Sequence, residues 1–239
     1  MNNIDPLAQN LPTPTAARPL LGLTVLVVED SRYACEAMRL LCLRSGARIR
    51  RADCIRSARR HLQVYRPSVV VVDLGLPDGD GCDLIAELAR AEGPPPILFA
   101  TSGDPNGEEA ARAAGAMGFL AKPITSLSLF QEQVLALLPA ERRPPGPRAI
   151  GNEFIAPDQL AYHDDIAHAA DILENPPHAK ALDYLAQFLA GVAISVDDTS
   201  MVQAAQALAN RRARGEAAGS ETAQIAGLIQ QRLSRKIAI

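Results

Sequence analysis

Short apolar runs punctuate the first half of the chain, and each stops at a polar residue. Leu23–Val28 ends at Glu29-Asp30, Val69–Val72 at Asp73, Ile97–Ala100 at Thr101, and Gly118–Ala121 at Lys122. Four valines in succession, Val69 to Val72, read as a strand buried on both faces, as in a parallel sheet. A shorter run, Ala47–Ala52, adds a strand between the first two of these. Amphipathic stretches fill the intervals. They predict helices from about Ser31 to Ser45, Ile55 to Tyr65, Cys82 to Ala91, Gly107 to Ala114 and Ser126 to Leu138. Ser31 suits an N-cap, and Arg66-Pro67 and Pro94-Pro95-Pro96 stop helical patterns ahead of strands. Gly75, Pro77, Gly79 and Gly81 make a turn-rich segment after Asp73. Five strands alternating with five helices imply an α/β, doubly wound parallel sheet with right-handed crossovers.

The pattern changes at Pro139. Residues 139–150 are rich in Pro and Arg and read as a stiff, extended linker. Beyond it the periodicity is helical throughout, with helices expected at about 157–174, 178–193, 199–213 and 220–236. Four helices of similar length with short loops predict an all-α, antiparallel four-helix domain. The expected organisation is a disordered arm over 1–21, an α/β domain over 22–140, a linker over 141–152 and a helical domain over 153–239.

Composition narrows the function classes. The chain has 239 residues, no Trp and 48% hydrophobic residues, so its core is aliphatic. Its four cysteines, Cys35, Cys42, Cys54 and Cys82, form no C-x-x-C pair, which fits reduced thiols used for packing in a cytosolic protein. No secretory signal or bilayer-length apolar run is present, so a cytoplasmic location is expected and no membrane partner. Arg44, Arg48, Arg50, Arg51, Arg56, Arg59, Arg60 and Arg66 cluster in sequence. No aromatics interleave, and the chain carries a net charge of −3, so a solvated partner-facing side is favoured over nucleic-acid binding.

In a parallel sheet Glu29, Asp30, Asp73, Thr101 and Lys122 all fall along one edge, where ligands bind. Three neighbouring carboxylates repel one another unless a cation compensates them. Oxygen ligands suit a hard divalent ion such as Mg²⁺, and Lys122 adds a positive charge able to pair with an acid or a phosphoryl oxygen.

The set Val-Val-Glu-Asp-Ser, Val-Val-Asp-Leu-Gly-Leu-Pro-Asp-Gly-Asp-Gly, Ala-Thr-Ser-Gly and Ala-Lys-Pro-Ile, in that order and at strand ends, resembles the receiver domain of two-component response regulators. The resemblance covers about residues 22–140 and implies a flavodoxin-like fold. It also implies that Asp73 is the phosphoacceptor, with Mg²⁺ held by Glu29, Asp30, Asp73 and the Gly75 carbonyl. Thr101 would hydrogen-bond the phosphoryl group, Lys122 would pair with it, and Phe119 would be the switch aromatic. Leu76 stands where Met is common. The implied donors are a sensor histidine kinase or a histidine-phosphotransfer protein. Any enzymatic activity would be limited to self-phosphorylation from such a donor and autodephosphorylation.

Leu185 to Ala193, with the following Met201 to Leu208, resembles the core of histidine-phosphotransfer domains. Gln187 stands at the position of the phosphorylated His and Ala190 at that of the Lys, which makes the site degenerate. His163, His168 and His178 lie outside the motif. Residues 151–239 carry a net charge of −4 and show no helix-turn-helix, which disfavours DNA as a partner. The reading is a phosphorelay response regulator whose helical domain binds a protein or a second copy of itself. A DNA-binding transcriptional regulator and a phosphotransfer intermediate are the alternatives.

Overall fold

The computed structural model describes residues 12–104, 106–146, 151, 153–174 and 179–234. His178 and the first half of the predicted arm lie outside them. Five strands form one parallel sheet: β1 (Thr24–Val28), β2 (Arg48–Ala52), β3 (Val69–Asp73), β6 (Ile97–Ser102) and β7 (Gly118–Ala121), in the order β2-β1-β3-β6-β7. This is the predicted flavodoxin-like sheet. Register aligns Val28 with Val72, Asp73 with Thr101, and Ser102 with Ala121, so all strands end along one line.

Side-chain alternation divides the strands between two layers. Leu26, Val28, Val70, Val72 and Leu98 pack with α2 (Ile55–Val64), α3 (Gly81–Arg90) and α4 (Gly107–Ala114). Val25, Val27, Val69, Val71 and Phe99 pack with α1 (Arg32–Ser45) and α5 (Leu127–Leu137) on the other face. Val69 to Val72 are all 0% exposed, as a run of valines in a central strand requires.

The turn after Asp73 is more ordered than its composition suggests. Gly75–Leu76 (β4) and Gly79–Asp80 (β5) form a small antiparallel hairpin. Its acids are helix caps. Asp78 accepts from the N–H groups of Ile55 and Arg56 at the start of α2, and Asp80 accepts from Cys82 N at the start of α3. A Cβ on Gly81 would lie 2.1 Å from the Asp73 carbonyl oxygen, so only glycine lets the hairpin close there.

The described parts of the connecting segments pack against the sheet layers. The end of the predicted arm is tied down, because Leu20 is fully buried and its N–H donates to Ser45 O. Residues 147–150 and 152 of the expected linker lie outside the described residues. Ala140–Arg142 form a single 3-10 turn, and the Arg143 guanidinium donates to Leu138 O. The chain then returns to α5, where Leu127 N donates to Glu153 O, Ile155 N donates to Thr125 O, and Ile155 is buried. Apolar Ile155 joins the core layer that holds Phe130 and Val134 of α5.

The C-terminal region is helical: α6 (Gln159–Glu174), α7 (Ala179–Ser195), α8 (Thr199–Ala213) and α9 (Gly219–Leu233). Each helix packs on the next, and α9 returns to α6. The shared core is aliphatic apart from Phe188, with Ile166, Leu185, Leu189, Leu208 and Ile225 at its centre. Among the described residues no helix is long and apolar enough to cross a membrane.

Candidate functional site

The strand-end residues converge as the register requires. One carboxylate oxygen from each of Glu29, Asp30 and Asp73 lies within 4.8 Å of the others. Lys122, which follows β7, points its ammonium back between two of them. Its Nζ is 2.8 Å from Glu29 Oε2 and 3.1 Å from Asp73 Oδ1, with only 6% of the side chain exposed. Glu29 accepts from Ser31 N with its other oxygen.

Three acids and one ammonium leave a formal charge of −2 in a buried site. Burial first, and then the Asp73 charge, raises Glu29 well above the ordinary carboxylate range. The same two causes push Asp30 up to about 6. Burial disfavours the Lys122 ammonium, but Asp73 and Glu29 outweigh it and hold its pKa above the ordinary lysine value. An all-oxygen donor set with an uncompensated double negative charge fits one hard divalent cation.

Thr101 is buried beside Asp73, and its hydroxyl donates to Leu120 O at 2.7 Å. Phe119 is half-buried and packs against the core layer that contains Ala100 and Ala116. Gly75 lies on β4, two residues past Asp73.

The helical region covers this edge, which the sequence alone did not reveal. Tyr184 donates its hydroxyl to Asp30 Oδ2. Burial first, and then the charge of Asp30, raises the Tyr184 pKa, so the hydroxyl stays protonated as donor. Asp165 of α6, 1% exposed, accepts from Ser31 Oγ at 2.7 Å, from Arg32 N at 2.7 Å and from Tyr33 N at 3.1 Å. It therefore caps α1 from outside the α/β unit, at the residue next to Asp30. A Cβ built on Gly75 would lie 2.5 Å from Gln187 Cδ and 2.6 Å from Gln187 Nε2. One built on Gly191 would lie 3.7 Å from Lys122 Nζ.

Tyr184, Gln187 and Gly191 are spaced by three and four residues and so share one face of α7. Gln187 and Gly191 roof a cleft of about 630 Å³ whose floor holds Glu29, Asp30, Asp73 and Lys122, and Tyr184 lines the adjoining cleft beside Asp30. Tyr184 and Asp165 were missed in the sequence. Tyr184 and Gln187 at helical spacing in a segment otherwise rich in Leu and Ala were the signal available for Tyr184; Asp165 had none. Ala190 also lines the cleft. Of the other histidines, His168 stacks edge-on against Phe188, with ring centroids 5.5 Å apart, and its Nε2 is 3.5 Å from the Tyr184 hydroxyl. His163 lies on α6, half-buried.

Residues 25–133 match the family model described as the response regulator receiver domain. The chain is 31% identical over 99 residues to the KDP operon transcriptional regulatory protein KdpE of Escherichia coli (strain K12), covering 41% of this chain and 44% of that protein. It is 32% identical over 111 residues to the sensory transduction protein LytT of Bacillus cereus, covering 46% and 45%. A response regulator of known structure from Thermotoga maritima is 25% identical, covering 47% of this chain and 93% of that one, with a TM-score of 0.42. The chain spans less than half the length of the two curated relatives.

Proposed function

We propose, from the premise that residues 25–133 form a response regulator receiver domain, that Asp73 accepts a phosphoryl group and that its occupancy alters the contacts of the helical region. The observation that carries this reading is Lys122, held between Glu29 and Asp73 with Asp30 alongside. Asp73 acts as the nucleophile. Its carboxylate oxygen forms a bond to phosphorus as the bond to the donor nitrogen or oxygen breaks. Lys122 then pairs with a phosphoryl oxygen. Glu29, Asp30, Asp73 and the Gly75 carbonyl are the groups that would hold Mg²⁺, which neutralises charge on the phosphoryl oxygens when bound. Thr101 would need to turn its hydroxyl away from Leu120 O to reach the phosphoryl group, and such a turn would couple the acceptor to β7 and Phe119.

The donors that suit this chemistry are a sensor histidine kinase or a histidine-phosphotransfer protein. The output is protein binding by the helical region, with self-association as one form of it. Two observations support an output through these helices: α7 roofs the acceptor and Asp165 caps α1. Any change at Asp73 therefore differs in energy between docked and undocked arrangements. The net charge of −4 over residues 151–239 speaks against a DNA-binding output. Gln187 lacks a nucleophilic imidazole, so a phosphotransfer intermediate is not favoured.

The test is labelling of the full chain with radiolabelled acetyl phosphate and Mg²⁺. Wild type takes up base-labile label, and Asp73→Asn does not. Undiminished label on the variant removes Asp73 as the acceptor.

A further inference from the structure

The side chain missing at Gly75 is replaced from another part of the chain. Any Cβ there would collide with the Gln187 amide, at 2.5 Å from Cδ and 2.6 Å from Nε2, so that amide occupies the space a side chain at position 75 would take. Position 75 lies two residues beyond Asp73, and Gln187 lines the same cleft as Asp73 and Lys122. Tyr184 on Asp30 and the close approach of Gly191 to Lys122 hold this face of α7 in place. The helix that carries the amide is therefore held on both sides of position 187.

The geometry of hydrolysis makes this position useful. Asp73 ends β3 on the floor of the cleft, and α7 is the roof. A phosphoryl group on Asp73 would project from floor towards roof. Water displacing it in line must approach opposite the Asp73 oxygen, which is the roof side. A glutamine amide carries one acceptor and two donors, so it can accept a hydrogen bond from water while donating to a phosphoryl oxygen. An amide cannot take the phosphoryl group itself, but it can orient the water that does.

We propose that Gln187 positions the water that hydrolyses the acyl phosphate on Asp73, so that the helical region acts as a phosphatase upon its own receiver. The water oxygen forms a bond to phosphorus, the bond between phosphorus and the Asp73 oxygen breaks, and Asp73 leaves as a carboxylate. Inorganic phosphate is released, and it keeps the proton that the water gives up or passes it to solvent. The docked chain limits the lifetime of its own signal. A partner that draws α7 off the acceptor edge would lengthen it.

This inference rests on Asp73 being the acceptor, and the experiment separates the two. The full chain is labelled with radiolabelled acetyl phosphate, the donor is removed, and loss of label is followed in Mg²⁺ for wild type, Gln187→Leu and Gln187→Ala. Amide hydrogen exchange reports whether α7 remains docked in each. Absence of label on wild type and on both Gln187 variants defeats the acceptor assignment and this proposal with it. With label present, Gln187→Leu, which fills the same space without hydrogen bonding, is expected to lose it about tenfold to a hundredfold more slowly, the contribution of a single positioned polar group. Decay at the wild-type rate in either variant, with α7 still protected from exchange, overturns the proposal.

Discussion

Tyr184 and Asp30 are 154 residues apart in sequence, yet the tyrosine hydroxyl donates to the carboxylate that would hold a metal ion. One carboxylate is thus shared between docking of α7 and the acidic cluster. Asp30 is already pushed up to about 6 by burial first and the Asp73 charge next, and the Tyr184 bond works against that rise. The Tyr184→Phe change removes a hydrogen bond to a charged group, an interaction of about 1.5–3 kcal/mol. Two outcomes are expected at pH 8, where Asp30 is ionised. The α7 amides exchange faster, and Mg²⁺ binds more tightly because Asp30 is released. A Mg²⁺ titration followed by amide shifts near Asp73 checks this; unchanged affinity would mean that the hydroxyl and the cation do not share Asp30.

The helical region has its own electrostatic anchor. Arg232 of α9 donates to Asp198 at the N-terminus of α8 through Nε and Nη2, both at 2.8 Å, and Tyr162 of α6 donates to the same carboxylate at 3.0 Å. Burial alone would raise the Asp198 pKa, but hydrogen bonds from Arg232, Ser200, Met201 N and Tyr162 outweigh it and hold it below the ordinary value. For an acid with a depressed folded pKa, the stabilisation is fully present above the unfolded pKa of about 4 and fades as pH falls below it. The Asp198→Ala variant leaves Arg232, 8% exposed, without its carboxylate. A cost of about 3 kcal/mol is expected at pH 7, the range seen when one partner of a buried pair is removed. Thermal melts from pH 7 to pH 3 should show the gap between variant and wild type beginning to narrow below about pH 4, where the unfolded chain protonates this acid and the folded chain still holds it ionised. A constant gap would remove the carboxylate charge from the account.

The readable parts of the fold were those set by local pattern. Val69 to Val72 had to be a central strand, and a parallel sheet then aligned Asp73 with Glu29, Asp30, Thr101 and Lys122 without further information. The helices from residue 159 onward followed from periodicity, within a few residues at each end. What could not be read were contacts between distant surfaces. Nothing local marks Asp165 as the cap of α1, since an acid on a helix is ordinarily solvated. The burial of Ile155 depends on the α5 layer it meets, which its neighbours in sequence do not encode. Gln187 read as a lost histidine, a description by what it lacks. Its position against Gly75 depends on how two separately folded surfaces meet, which neither segment encodes alone.

That position can be tested by restoring a nucleophile. If α7 roofs the acceptor as the Gln187–Gly75 contact indicates, an imidazole at position 187 faces the phosphoryl group on Asp73. In Gln187→His, imidazole nitrogen can form a bond to phosphorus as the bond to the Asp73 oxygen breaks, a transfer within one chain that needs no encounter between molecules. Wild type labelled with acetyl phosphate is expected to carry only base-labile acyl phosphate. The Gln187→His chain is expected to carry an added fraction that is stable to base and lost in acid, and peptide mapping should assign it to α7. The double variant Asp73→Asn, Gln187→His should lack that fraction if the phosphoryl group passes through Asp73. Normal acyl phosphate on Gln187→His with no base-stable label would show that α7 does not face the acceptor in solution, and both the docking and the hydrolytic role of Gln187 would fall with it.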